Sequence, residues 1–274
     1  MSDSPKLGLP TFDNPPVVET VLSAQFEKLP ALRSVHFGLF WERVRERFPT
    51  TEEHPALASI VEQAKEPPQA VELRFEATDS LLPRRLWFVN GTGTELMQIQ
   101  GDRFIKNWRK TDENTEYIHY ENTSKTFAAD FREFQNFLAD EKLGEAKVNQ
   151  CEVTYVNHIV SGEGWSNWNE AERLFSFWRN PPAEPLPGQA EDLGVRARFP
   201  ILGPNKEWVG RLHLDVQPAV RTADNKPMYV MNLTARGMYG SGVEFFDIGH
   251  RWVVKSFEKL TTEHMHKYWR KRKK

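Results

Sequence analysis

Val71-Glu-Leu-Arg-Phe75 in the first half of the chain is echoed by Val195-Arg-Ala-Arg-Phe199 in the second, and Leu96-Met-Gln-Ile-Gln100 is echoed by Val230-Met-Asn-Leu-Thr234. Each stretch has the alternating or near-alternating pattern of a half-buried strand. The two pairs keep their order within their halves, after a strand-then-helix opening and before a closing amphipathic helix. That order predicts a duplicated α+β unit.

Working outward, Val17–Phe26 reads as a β-branched strand. Leu32, Val35, Phe37, Leu39, Phe40, Val44 and Phe48 then form a broad helical stripe that stops at Pro49. Pro55-Ala-Leu-Ala-Ser-Ile-Val-Glu predicts a short helix, stopped by Pro67-Pro68. Strands follow at Val71–Ala77, Arg85–Val89 and Glu95–Gln100, the last two joined by Asn90-Gly-Thr-Gly, a tight-hairpin composition. Arg103–Arg109 and Tyr117–Tyr120 suggest a further hairpin. Thr123 or Ser124 caps a helix to about Leu143, in which Phe127, Phe131, Phe134, Phe137 and Leu138 recur at helical spacing and Gly144 ends the run. The second unit repeats the scheme. A strand at Val148–Val160 leads to a helix from Asn167 or Asn169 through Trp178. Strands at Gly194–Phe199, Trp208–Val216 and Tyr229–Arg236 follow, then a helix from about Glu244, recapped at Thr261-Thr262.

Fused, two such units give one continuous curved antiparallel sheet with helices on one face. The doubled element order is that of TATA-binding-protein-like saddles, an analogy of order that carries no DNA binding with it. The alternative is a helix-grip fold, with one long C-terminal helix closing a sheet over a pocket. The chain divides into an extended arm at 1–16 holding four prolines, a first unit at 17–144, a second at 148–269 with a Pro-rich loop at 180–190, and a basic tail at 270–274.

A net charge of −2 supplies no global attraction for nucleic acid or membrane. The charge is uneven, because Lys267 and Arg270–Lys274 place six cations at the end of an otherwise acidic body. The single cysteine, Cys151, excludes an internal disulfide and a cysteine-based zinc cluster. No apolar run approaches the ~20 residues of a membrane span. Met1-Ser-Asp-Ser-Pro-Lys6 lacks an apolar signal region. A cytoplasmic protein without membrane partners is expected.

Catalytic signatures are sparse. There is no Gly-x-Ser-x-Gly elbow, and Ser241 between Gly240 and Gly242 lacks the parallel-sheet context that an elbow needs. Gly91-Thr-Gly93 is not followed by the Gly-Lys-Ser/Thr of a phosphate loop. His264-Met-His266 shares a metal only on a strand, whereas its context is helical. His250 lies within reach of Asp247 on the closing helix, as a carboxylate–imidazole pair or a packing pair. No catalytic residue, metal or cofactor is assigned.

Basic residues interleave with aromatics on the predicted strands. In the first unit these are Arg74, Arg84, Arg85, Arg103, Lys106, Trp108, Arg109 and Lys110. In the second they are Arg196, Arg198, Arg211, Arg221 and Arg236, with Lys271 and Arg272 in the tail. Cations beside aromatic faces grip single-stranded nucleic acid. The same alternation also places charges on the wet face of a half-buried sheet.

Three separated segments together resemble a known family. They are Leu9-Pro-Thr-Phe-Asp-Asn-Pro-Pro-Val-Val-Glu-Thr-Val-Leu-Ser-Ala-Gln-Phe26, then His36-Phe-Gly-Leu-Phe-Trp41 with Phe48-Pro49, then Asp247-Ile-Gly-His-Arg-Trp-Val-Val-Lys-Ser-Phe257 with Leu260-Thr-Thr-Glu-His-Met-His-Lys-Tyr-Trp269. In this order they resemble a sporadically distributed family of bacterial proteins that brings no established activity with it. The resemblance implies a soluble bacterial protein from an accessory or defence-linked system. The expectation is a non-enzymatic binding or regulatory protein acting through a protein partner. The alternatives are nucleic-acid binding by a basic sheet face and tail, or a small-ligand or hydrolytic enzyme with no recognisable motif.

Overall fold

Val17–Phe26 (β1) and Val148–Val160 (β6) pair antiparallel at the middle of one nine-stranded sheet. The computed structural model describes residues 8–64, 84–179, 188 and 190–272. The first half adds Ser34–Val44 (α1), Thr50–Pro55 (β2), Arg84–Val89 (β3), Glu95–Gln100 (β4), Arg103–Arg109 (β5) and Tyr120–Asp140 (α2). The second half adds Ala171–Leu174 (α3), Val195–Leu202 (β7), Trp208–Val220 (β8), Pro227–Gly237 (β9), Phe245–Leu260 (α4) and Glu263–Tyr268 (α5). Across the sheet the order is β2-β3-β4-β5-β1-β6-β9-β8-β7, antiparallel throughout.

This order is a duplication. In each half the first strand lies at the midline, the last strand pairs with it, the intervening strands continue outward, and a long helix follows. β2 has no counterpart among the described residues of the second half. The repetition rests on topology rather than on the echoed motifs. Leu96–Gln100 is β4, but Val230–Thr234 lies in β9, which occupies the place of β5. Val195–Phe199 falls in β7, and its echo Val71–Phe75 lies outside the described residues, as do the strand predicted at 71–77 and Arg74. Two long helices, α2 and α4, each cover one half, so the single-helix alternative does not describe the chain.

Strand alternation separates the two faces. Leu22, Ala24 and Phe26 of β1, Phe104 of β5, Val153 of β6 and Leu233 and Ala235 of β9 point at the helices and are buried. The α2 phenylalanines supply the other half of this core. Phe104 meets Phe131 and Phe134 at ring distances of 5.4 and 5.5 Å, and Phe40 of α1 meets Phe134 at 5.4 Å. Each such ring contributes about 2–3 kcal/mol by leaving water. In the second half, Gly237 and Gly210 let β9, β8 and α4 approach closely. A Cβ on Gly237 would stand 2.1 Å from the Val209 carbonyl oxygen and 2.6 Å from the Phe245 ring.

Several local expectations are corrected. Tyr117–Tyr120 is not a strand, because Tyr120 begins α2 and is buried against His250. The helix expected to Trp178 reduces to a 3-10 turn at Trp168–Glu170 and α3, since Phe175 leaves to bridge Thr261. Residues 56–64 form no helix. The recapping at Thr262 is present, with its hydroxyl accepting from the Met265 N–H. The N-terminal arm is irregular from residue 8, and Phe12 packs on Phe257 and Trp269 while bridging Lys271. Among the described residues no helix is long and apolar enough to cross a membrane.

Candidate functional site

The face away from the helices is polar, and a segment of the chain lies across it. Pairing registers place Gln98 and Gln100 of β4, Arg103 and Asn107 of β5, Ser23 and Gln25 of β1, Gln150 and Glu152 of β6, Arg236 of β9, and Arg211 and His213 of β8 on this side. Many of these side chains are buried nonetheless, Gln25, Gln100 and Gln150 at 2–4% exposure. Residues 56–64, which follow β2, cover them.

The contact is read through the main chain of this strap. The Gln100 carboxamide clasps Leu57, accepting from its N–H at 2.9 Å and donating to its carbonyl at 2.9 Å. Arg103 Nη2 donates to the Ala58 carbonyl at 3.0 Å. Gln25 Oε1 accepts from the Ile60 N–H at 3.1 Å, and Gln150 Oε1 from the Glu62 N–H at 3.0 Å. These bonds replace the water that an irregular backbone otherwise needs. The strap's own side chains face outward, with Leu57, Ile60 and Val61 at 38%, 45% and 49% exposure.

The Ser59 hydroxyl donates to Asp102 at the rim, and Glu62 is turned inward and 9% exposed. Arg211 Nη1 donates to one carboxylate oxygen at 2.7 Å, and His213 Nε2 meets the other at 2.6 Å. Arg236 Nη1 lies 3.5 Å away and is held chiefly by Glu152 at 2.7 Å. Burial alone would raise the Glu62 pKa. The hydrogen bonds from His213 and Arg211, with the charges of His213 and Arg236, overcome it and hold the group at about 2. Burial pulls Arg103 below the ordinary guanidinium value, opposed by Glu152 and Asp102. It remains a cation, as arginine does in proteins.

The basic residues singled out from sequence divide between the two faces. Arg85, Arg103, Arg109, Arg196, Arg198, Arg211 and Arg236 have the register of the polar face. They do not form a bare cationic sheet, because Arg236 pairs Glu152, Arg211 pairs Glu62 and Arg196 lies 3.6 Å from Asp215. Lys106 and Trp108 point the other way, into the core at 2% exposure each. Lys106 Nζ bonds Asp130 of α2 at 2.7 Å and Glu95 at 2.9 Å. Asp130 also accepts from Arg47 at 2.6 Å. Arg84 pairs Glu53 at 2.9 Å at the edge. In the tail, Lys271 pairs Glu258 and Arg272 pairs Asp13, so both bind the chain's own carboxylates.

The histidine candidates are structural in their contacts. His264 bonds the Gly164 carbonyl and His266 the Thr261 hydroxyl, in different directions. Among the described residues no group of three His, Cys, Asp or Glu is placed to hold a metal. His250 does not pair Asp247. Its Nδ1 meets the Tyr155 hydroxyl at 3.0 Å and its ring stacks on Tyr120 at 3.9 Å, while Asp247 accepts from the Tyr120 hydroxyl at 2.8 Å. Burial drives His250 down to about 4. Ser241 donates its hydroxyl to the Glu244 carboxylate just before α4. A separate groove of about 350 Å³ lies between β7 and α4, floored by Phe199, Trp252 and Leu260 and edged by Arg251, Lys255 and Lys259.

Gln25, Gln100, Gln150 and Glu62 were not legible as a site in the sequence. The available signal was three glutamines of matching parity at or near strand ends. Comparison with protein-family models, with curated proteins and with solved structures returned no match.

Proposed function

We propose that this chain is a binding protein that acts through a protein partner, engaged on the polar face of the sheet. The observation that carries this reading is the row of three carboxamides and one guanidinium, Gln100, Arg103, Gln25 and Gln150 on β4, β5, β1 and β6, that meets peptide groups of the segment crossing it. A surface that satisfies a backbone from side chains suits an extended polypeptide, since main-chain groups supply affinity and pockets between them supply selectivity. The resemblance to a sporadic bacterial family supports an accessory or defence-linked setting in the cytoplasm.

The test is recovery of a stoichiometric protein by the tagged chain from a bacterial lysate, beside Gln25→Leu and Gln150→Leu variants that keep the wild-type melting temperature. The proposal expects recovery to fall in both variants. Equal recovery from all three would move the partner off this face. A second reading, nucleic acid, draws on the seven arginines that share the face. It requires affinity that falls steeply with salt and a raised 260/280 nm absorbance ratio. A salt-insensitive complex would remove it.

A further inference from the structure

The strap occupies the polar face in the manner of a ligand. From Gln100 on β4 to Gln150 on β6 is three strand spacings, about 14 Å. The five residue steps from Leu57 to Glu62 reach about 17 Å when extended and only about 7.5 Å as a helix. The row therefore selects an extended chain crossing the strands. Its contacts to residues 57, 58 and 60 go to peptide groups and ignore side-chain identity. Two positions are met through their side chains, Ser59 by the Asp102 carboxylate at the rim and Glu62, the one buried charge, by Arg211 and His213. Two buried donors on the face, Arg103 Nε and Gln150 Nε2, have no hydrogen-bond partner among the described residues. Donors of this kind favour a segment that follows the same path with further acceptors.

We propose that the polar face is a binding site for an extended polypeptide segment carrying a carboxylate, and that residues 56–64 are its intramolecular occupant, exchanged for the partner's segment on binding. This inference rests on the reading of the chain as a protein-binding protein and names what that partner must present. A tethered occupant competes at high effective concentration, so the free chain takes a second segment only in proportion to the fraction of time the strap is away. Charge decides the anchor. The pocket around Glu62 offers Arg211 and His213, with Arg236 at its edge, and an incoming carboxylate takes over those bonds.

The probe is a synthetic peptide of sequence 56–64, fluorescently labelled, titrated into the full chain. The wild type should bind it weakly. Glu62→Gln loosens the internal occupant and should tighten binding by about tenfold or more, the scale of one charge-assisted hydrogen bond. Arg211→Leu added to Glu62→Gln should abolish that gain. In the wild type, saturating peptide should expose the Leu57, Ile60 and Glu62 amides to hydrogen exchange while β1, β4 and β5 stay protected. A folded Glu62→Gln chain that binds the peptide no better than wild type overturns the proposal. So does a concentration-dependent dimer formed in place of the peptide complex, which would assign the face to a second copy. If a partner protein binds with the strap amides still protected, exchange fails while the protein-binding reading stands. If no polypeptide is captured by any variant, that reading fails as well.

Discussion

His250 makes the folded chain sensitive to mild acid, and the size of the effect follows from its surroundings. The ring lies between Tyr120 and Tyr155 under α4, and burial holds its pKa at about 4 against an ordinary 6.5. Between those values the unfolded chain binds a proton that the folded chain does not. Stability contributed by the neutral ring is thus fully present above about pH 6.5 and is lost as pH falls through the window toward 4. With these two values the loss between pH 7.5 and pH 5 is about 2 kcal/mol. For a chain of this length that lowers the melting temperature by roughly 4–8 °C. His158 and His266 are also depressed by burial and add in the same direction, so the bare slope does not isolate His250. His250→Gln does. It keeps a hydrogen-bonding partner for the Tyr155 hydroxyl and removes the titration. The assay is urea unfolding at half-unit pH steps from 7.5 to 5, with wild type and variant in parallel. The variant should have a shallower slope by about 2 kcal/mol over that range. Parallel slopes would refute the reasoning, whatever the absolute stabilities.

Two further outcomes test the core. Lys106→Met leaves Asp130 with Arg47 as its remaining cation and removes one buried charge-assisted bond, which should cost about 1.5–3 kcal/mol in urea unfolding; Arg47→Met with Lys106→Met strands the carboxylate and should cost more than the two single variants together, and a Lys106→Met cost below about 0.5 kcal/mol would mean that Lys106 is not held in the core. Gly237→Ala forces a Cβ to 2.1 Å from the Val209 carbonyl and should cost more than about 2 kcal/mol or abolish soluble expression; a wild-type melting curve would contradict the close approach of β8 and β9.

The fold was legible where local pattern and tertiary demand agree. The Asn90-Gly-Thr-Gly turn joins β3 to β4 as its composition requires. The Phe127–Phe137 stripe faces the sheet, and the recap at Thr262 follows local capping chemistry. The strap was misread because Ala56, Leu57, Ala58 and Glu62 favour helix, a weak local bias of a few tenths of a kcal/mol per residue. Bonds to glutamines between 35 and 88 residues away override it, and no local window contains them. Lys106 was misassigned although its position held a signal. Within Arg103–Arg109 it shares parity with Phe104 and Trp108, and Asp130 stands inside the α2 phenylalanine stripe. A carboxylate on an apolar helix face requires a buried cation, and the basic residue of core parity supplies it. The divided basic set has the same cause, because cations in neighbouring strands face one way only when their registers agree.

The midline of the sheet also sets an order of events during synthesis. β1 ends at Phe26, and the strand that flanks it there, β6, begins at Val148. At ribosomal rates of about 5–20 residues per second, roughly ten seconds separate them. For that interval the first half can close β5 against one side of β1, but the other side stays open as an unpaired edge. Such edges recruit other chains. On a polysome the nearest chains are copies of itself, each displaying the same open edge. Crowded translation therefore exposes this protein to self-association at one identifiable place, and the arrival of residues 148–160 ends that exposure.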